Sequence, residues 1–197
     1  MIDTKQKILD AAERLIAEQG YDATSLRQII GDAGVNLAAI HYHFGSKEEL
    51  LQALVDRRAA PVNAERLELL GRFEAEAGSK PVPIERILHA FLAPMVAAAN
   101  RNPQFVKVMG RIVIEGLLPE IVQKSFHLVF PRFNSALRRS MPQMPDEEFQ
   151  WRIHFMTGVI AHAMCGAPAG NFQDRVDRMI RFLAGGFRAP GPEGGKK

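Results

Sequence analysis

Apolar residues recur along this chain at spacings of three and four, with no alternating strand pattern of useful length. Ile8, Ala11, Ala12, Leu15 and Ile16 give one face of a helix over residues 4–19. Leu26, Ile29, Ile30 and Ala33 give a second, over 26–33, and a short third helix over 37–43 follows. Beyond residue 50 the helical pattern continues, punctuated by Pro and Gly. It predicts helices over 47–58, 62–77 after Pro61, 84–99, 103–115, 119–140, 146–165 and 172–187. Pro131 should kink or divide the helix over 119–140, because proline lacks the N–H and its ring crowds the preceding turn. Breaks are expected at 78–83, 141–145 and 166–170, and the Pro/Gly-rich 190–197 as a disordered tail. The expected fold is all-α, with a small domain over residues 1–50 and a larger helical domain over 51–189.

The first three helices carry their own start and stop signals. Ser25 with Gln28 three residues later fits a capping box. Gly34 tolerates positive φ, Val35 can turn back into a core, and Asn36 is a strong N-cap for residues 37–43. Two helices joined by a short Gly-containing turn match a helix-turn-helix, whose second helix enters the DNA major groove. Tyr42-His43-Phe44 then ends that helix, Gly45 breaks it, and Ser46 with Glu49 forms a second capping box.

The run AGVNLAAIHYHFGSKEEL, residues 33–50, resembles the DNA-binding core of the TetR family of bacterial transcriptional regulators, and the resemblance extends over residues 1–50. It implies phosphate contacts at Ser25, Asn36, Tyr42, His43 and Lys47. Leu37, Ala38, Ala39 and His41 would face the groove floor, with Arg27 reaching a base edge. Leu37 and the alanines suit thymine methyls and close backbone approach, and His41 is the polar base reader of the recognition helix. A second reading of His41 and His43 stays open, in which an imidazole caps the helix C-terminus. A His-x-His metal site is disfavoured because residues two apart do not share a helix face.

Charge changes the picture locally and not in bulk. The chain is formally +3, yet residues 1–50 carry five Lys or Arg against eight Asp or Glu, a balance of −3. Between Asp32 and Glu48 there is no carboxylate, while His41, His43 and Lys47 lie inside that window. Helix N-termini at Ser25, Asn36 and Ser46 offer N–H groups to phosphate oxygens. Such an acid-free face suits approach to a phosphate backbone, with salt-sensitive binding.

A hydrophobic content of 47% is ample for a core, and no apolar run approaches the roughly 20 residues of a membrane span. The N-terminus is too polar for a secretory signal. The single Cys165 excludes an internal disulfide framework and fits a reducing bacterial cytoplasm, where the protein would be nucleoid-associated. Cys165 reads as a buried inert thiol more readily than as a redox sensor.

One short recognition helix reads few bases, so such modules pair on palindromes. The last two predicted helices are the candidates for that contact. Phe149, Trp151, Ile153, Phe155, Met156, Val159, Ile160 and Met164 make one apolar around much of its circumference. Phe172, Val176, Met179, Ile180, Leu183 and Phe187 give the other a stripe. Two helices from each copy could form a four-helix bundle; the other reading is that they are core to a monomer. The middle region is rich in Phe and Met: Phe91, Met95, Phe105, Met109, Phe126, Phe130 and Phe133. Such side chains are usually core, but the family resemblance implies an effector pocket, with Arg111, His127, His154 and Thr157 as orienting groups. The segment FQWRIHFMTG, 149–158, is similar to a helix of TetR-family repressors that govern fatty-acid or acyl-CoA metabolism, which implies a lipid-like effector.

No phosphate-cradling Gly loop, nucleophile elbow or His-Glu-x-x-His motif occurs, and His154 and His162 lie roughly 80° off a common helix face. No enzyme activity, cofactor, metal or membrane partner is expected. The sequence therefore predicts a homodimeric, ligand-responsive DNA-binding regulator, most simply a repressor on a palindromic duplex operator. Its effector would shift the helix at 47–58 and change the separation of the two recognition helices. The alternatives are a small-molecule carrier or a protein-binding dimer with a vestigial helix-turn-helix.

Overall fold

The computed structural model describes residues 3–117, 123–166 and 171–191. Among these there are α-helices and no strand: α1 Thr4–Gln19, α2 Leu26–Ala33, α3 Leu37–His43, α4 Lys47–Ala77, α5 Ile84–Arg101, α6 Pro103–Ile114, α7 Val129–Ser140, α8 Asp146–Gly166 and α9 Phe172–Arg188. The expected tail from 192 on, the first residues of the predicted helix at 119–140 and most of the 166–170 break lie outside the described residues, as do the side chains of Met164 and Cys165.

One proline expectation is corrected and one is met. Pro61 does not separate two helices; α4 runs through it for 31 residues. Val55, Ala59, Val62 and Leu70 are buried on both sides of it, so packing holds the helical path where local hydrogen bonding is lost. The division expected near Pro131 is present: a turn at 127–128 separates helical residues 123–126 from α7. Pro131 is the third residue of α7, in the first turn, where its missing N–H costs nothing. Pro103 likewise opens α6.

The chain forms two compact units. The first comprises the residues up to Val62 with Ala98–His127; the second comprises Asn63–Ala97 with the residues from Leu128 on. Packing therefore groups α6 with α1–α3, where the sequence pattern had put a boundary after residue 50.

In the first unit α1 packs against α2, α3 and α6. Its core holds Ile8, Leu9, Ala12, Ile16, Ile29, Ile40, Leu51, Leu54 and Val55. One carboxylate is buried among them. Glu13 of α1 accepts from Arg57 Nη2 at 2.7 Å, from Arg58 Nε and Nη2 at 3.1 and 2.8 Å, and from Asn102 Nδ2 at 2.6 Å. Two guanidiniums and an amide satisfy it, which is the condition for a buried charge.

In the second unit Ile87, Leu88, Leu92, Phe133, Leu137, Phe149, Val176, Leu183 and Phe187 form the core. The buried Arg152 of α8 donates Nη1 to the carbonyls of Gly186 and Phe187, both at 2.8 Å, and Nε to Glu148 at 2.7 Å. It thus caps the C-terminus of α9, where carbonyls lack helical partners and the dipole favours a cation.

Candidate nucleic-acid interface

The helix-turn-helix is built by the caps that its sequence proposes. Ser25 Oγ accepts from Gln28 N at 3.2 Å, and Gln28 Oε1 accepts from Ser25 N at 2.7 Å, closing the capping box. Gly34 takes φ 63°, the left-handed conformation that lets Val35 N bond back to Ile30 O at 3.2 Å. Asn36 Oδ1 accepts from Ala39 N at 2.9 Å and starts α3. Ser46 Oγ accepts from Glu49 N at 3.1 Å and starts α4, but Ser46 N donates to Phe44 O at 2.9 Å, so the capping box expected there is only half made. At Gly45, φ 77° is a left-handed conformation that favours glycine.

Of the seven residues of α3 only Ile40 is buried. It anchors the helix and turns the rest outward: Leu37 is 51% exposed, Tyr42 is 85% exposed, and Ala38 and His41 are exposed with them. Ala39 and His43 are half-buried beside this face. Ser25, Arg27 and Asn36 are exposed as well. The Tyr42 and His43 rings meet edge to face at 5.0 Å. His41 is the imidazole that closes on the following turn, with Nδ1 3.1 Å from the carbonyl of Gly45. That bond engages one ring nitrogen of a side chain that is itself exposed.

Lys47 is held more tightly than its sequence position suggests. Its ammonium donates to the carbonyl of Tyr21 at 2.7 Å and lies 4.0 Å from the centre of the Tyr21 ring, a cation–π contact. The Tyr21 phenol donates to Glu48 at 3.4 Å. Burial, and then the Glu48 charge, push the Tyr21 pKa up to about 12. Glu48 is held below the usual carboxylate range by its own backbone N–H at the start of α4 and by Ser46. Tyr21 was not among the site residues chosen from sequence; its place before the Ser25 cap offers no periodic signal, and its partner is 26 residues away.

The proposed effector residues divide between the two units. In the second, Phe91 meets Phe133 edge to face at 5.1 Å and Phe130 in a stack at 6.3 Å, and Met95 is buried nearby in α5. The buried Arg66 donates Nε to the Phe91 carbonyl at 2.7 Å and Nη1 to Asn63 at 2.9 Å, with its guanidinium 4.2 Å from the Phe91 ring. Sequence reasoning passed over Arg66 because a lone Arg on a helix normally marks a solvated face. In the first unit Phe105 and Phe126 are buried and Met109 is half-buried.

The expected orienting groups need correction. Arg111 faces α1, donating Nη2 to the carbonyl of Glu18 at 3.1 Å. His127 is exposed with Nδ1 2.7 Å from Lys124 O, and Thr157 is exposed and donates to Ile153 O at 3.0 Å. His154 is exposed beside Trp151 and Phe155. None of the four is buried, and three of them are engaged with helix carbonyls, so they do not form the polar lining of an enclosed apolar pocket. An open groove of 340 Å³ in the second unit is lined by Glu85, Arg86, His89, Asp177, Ile180 and Arg181, a polar set quite different from the one expected.

The expected dimer residues are sorted by burial. Phe149, Ile160, Val176, Met179, Ile180 and Leu183 are buried inside the second unit, so the stripe of α9 is core to one chain and does not face a partner. Trp151 and Phe155 are 51% and 60% exposed and stack at 5.8 Å, with Ile153, Met156, Val159 and Phe172 exposed or half-buried around them. Phe182 of α9, 68% exposed, joins the outward set although its stripe neighbours point inward.

Among the described residues no helix is long and apolar enough to cross a membrane, and no three His, Cys, Asp or Glu side chains are grouped for a metal.

Comparison with known proteins agrees with this architecture in both halves of the chain. Residues 8–54 match the bacterial regulatory proteins of the tetR family, and residues 89–186 match the tetracyclin repressor-like C-terminal domain. Over 115 residues, 58% of this chain, the sequence is 31% identical to the HTH-type transcriptional regulator SrpR of Pseudomonas putida; the match spans about half, 48%, of that relative. It is also 31% identical over 115 residues to the HTH-type transcriptional regulator TtgW, again of Pseudomonas putida, there spanning 76% of the relative. The solved structure of the fatty acid degradation regulator FadR from Bacillus halodurans superposes with a TM-score of 0.64, covering 96% of this chain and 99% of that one at 16% identity, a likeness of fold alone. With the capped helix-turn-helix at its N-terminus and a helical second half that matches the same family, the chain belongs to the TetR family of bacterial regulatory proteins.

Proposed function

We propose that the protein is a sequence-specific DNA-binding repressor that acts as a homodimer on a palindromic operator and releases it when a small amphipathic effector binds. The observation that carries this reading is the outward face of α3. Leu37, Ala38, His41 and Tyr42 stand clear of the core on a helix anchored by Ile40 and capped by Asn36, with no carboxylate between Asp32 and Glu48. Leu37 and the alanines meet base edges, His41 offers Nε2, and Ser25, Asn36, Tyr42, His43 and Lys47 fix the helix on phosphates. Arg27 extends the same face from α2. The protein works in the cytoplasm on nucleoid DNA.

Two copies associate through the outward aromatics of α8 and α9, with Trp151, Phe155 and Phe182 at the centre and Ile153, Met156, Val159 and Phe172 around them. Large exposed aromatics on one subunit are what a second copy covers. The effector is apolar or amphipathic, with a lipid-like molecule favoured by the apolar wall that Phe91, Phe130, Phe133 and Met95 supply. Effector binding shifts α4 and changes the separation of the two recognition helices. A coupling of about 1–3 kcal/mol lowers operator affinity by roughly 5–150-fold.

Selection from a random duplex library at near-physiological salt tests the reading, run with the wild type and with Tyr42→Ala/Lys47→Ala. A palindromic consensus recovered by the wild type and lost by the double variant supports it. No enrichment by the wild type at any salt, with or without fatty-acid or acyl-CoA ligands, would sink it and leave a carrier with a vestigial helix-turn-helix.

A further inference from the structure

We infer that Glu115, a residue with no place on the DNA-facing surface, positions the Lys47 ammonium for its phosphate through Tyr21. Glu115 directly follows α6, and its Oε2 accepts from the peptide N–H of Tyr21 at 3.2 Å, across 94 residues of sequence. The carbonyl of the same residue accepts from Lys47 Nζ at 2.7 Å, and the Tyr21 ring lies 4.0 Å beneath that ammonium. Two hydrogen bonds and one residue therefore connect the end of α6 to the start of α4.

The corner that carries Tyr21 is clamped from the same side by a second bond. Arg111 Nη2 donates to the carbonyl of Glu18 at 3.1 Å, in the last turn of α1, where carbonyls lack helical partners. Gly20 between them takes φ 92°, and a Cβ there would sit 2.8 Å from Glu115 Oε1 and 3.2 Å from Arg111 Nη1. Glycine is thus favoured by conformation, and the Glu115 carboxylate lies against its open side.

Removing the Glu115 acceptor leaves the Tyr21 N–H unpaired and loosens a corner whose carbonyls are still held by Thr24, through N to Tyr21 O at 3.0 Å and Oγ1 to Gly20 O at 2.6 Å. Lys47 must then be ordered at the moment of phosphate binding, a cost that the clamped corner has already met. An ammonium has three protons; one goes to Tyr21, and the others are aimed by that bond.

The inference rests on the DNA-binding reading, and its test separates the two. Affinity for the selected duplex is measured over a series of salt concentrations for wild type, Glu115→Ala, Glu115→Gln, Lys47→Ala and Glu115→Ala/Lys47→Ala, with helical content checked for each. Charge alone predicts that both Glu115 variants bind more tightly, since each removes a negative charge near a polyanion. Positioning predicts that Glu115→Ala binds roughly 5–30-fold more weakly. Its log–log salt slope should stay that of wild type, because the phosphate contact is still made, whereas the slope of Lys47→Ala should be shallower by about one. Glu115→Gln, which keeps an acceptor, should bind at least as well as wild type, and the double variant should be no weaker than Lys47→Ala. Should Glu115→Ala lose helical content, the same cycle with Arg111→Ala in its place reads the clamp. A Glu115→Ala protein that binds as well as wild type, or losses that add fully in the double variant, overturns the inference while leaving the DNA-binding reading intact. A wild type that enriches no duplex overturns both.

Discussion

The carboxylate of Glu13, buried in α1, lies 2.7 Å from the guanidinium of Arg57, and Arg58 and Asn102 complete its shell. This group ties α1 to α4 and to the junction of α5 and α6. Taking away the carboxylate leaves two guanidiniums that keep partial access to water, so the cost falls at the low end for broken buried pairs. Glu13→Ala should lose about 3 kcal/mol of unfolding free energy, read as a lower urea midpoint at unchanged slope. A loss below about 0.5 kcal/mol would mean that the cluster is no stronger than an exposed ion pair.

Two glycines close in sequence should respond in opposite directions. Gly34 is at φ 63°, and Gly34→Ala should destabilise by about 1 kcal/mol. Gly31 is inside α2, and a Cβ there meets nothing within 4 Å. Gly31→Ala should stabilise by up to about 1 kcal/mol, through helix propensity. Thermal melting of both variants checks the pair, and equal signs would refute the placement of the turn.

The outward aromatics predict a separable defect. The chain has one tryptophan, Trp151, so its emission reports this surface alone. Trp151 should become accessible to aqueous quenchers on dilution, and Phe155→Glu should give a folded monomer by sedimentation. Val176→Glu, at a position buried inside the unit, should unfold the protein instead. A dimeric Phe155→Glu would move the interface elsewhere.

A clear split follows between what the sequence discloses and what it hides. Ser25, Gly34, Asn36 and Ser46 act within three or four residues of their own position, so the helix-turn-helix could be read from local chemistry. The course of α4 through Pro61 could not, because burial of Val55, Val62 and Leu70 decides it. Periodicity identified an apolar stripe on α9 but carries no sign of whether the stripe meets its own core or a second copy. Glu13, Tyr21 and Arg66 were missed for one physical reason: each acts through a partner between 25 and 94 residues away, as in the bonds of Arg66 to Phe91 and of Glu115 to Tyr21.

The phenol of Tyr21 gives a pH signature. Its pKa is raised to about 12 in the folded state, above the ordinary value near 10. The folded protein therefore holds this proton more tightly than the unfolded chain. The associated stability is fully present below about pH 10 and is lost as pH rises through about 12. In a Tyr42→Phe background the remaining phenolate absorbance should appear with a midpoint near pH 12, and Tyr21→Phe should soften the alkaline loss of stability. A midpoint near 10 in the folded protein would contradict the burial of Tyr21 against Glu48.

The central claim, that two copies read one operator, is tested most directly by spacing. Affinity is measured for the selected duplex and for the same duplex with about five base pairs, half a helical turn, inserted between its half-sites. The account predicts that the insertion turns one half-site to the far face of the DNA and lowers affinity roughly 100-fold or more, toward non-specific binding. Unchanged affinity would contradict it, showing that each helix-turn-helix reads its site without a two-fold partner.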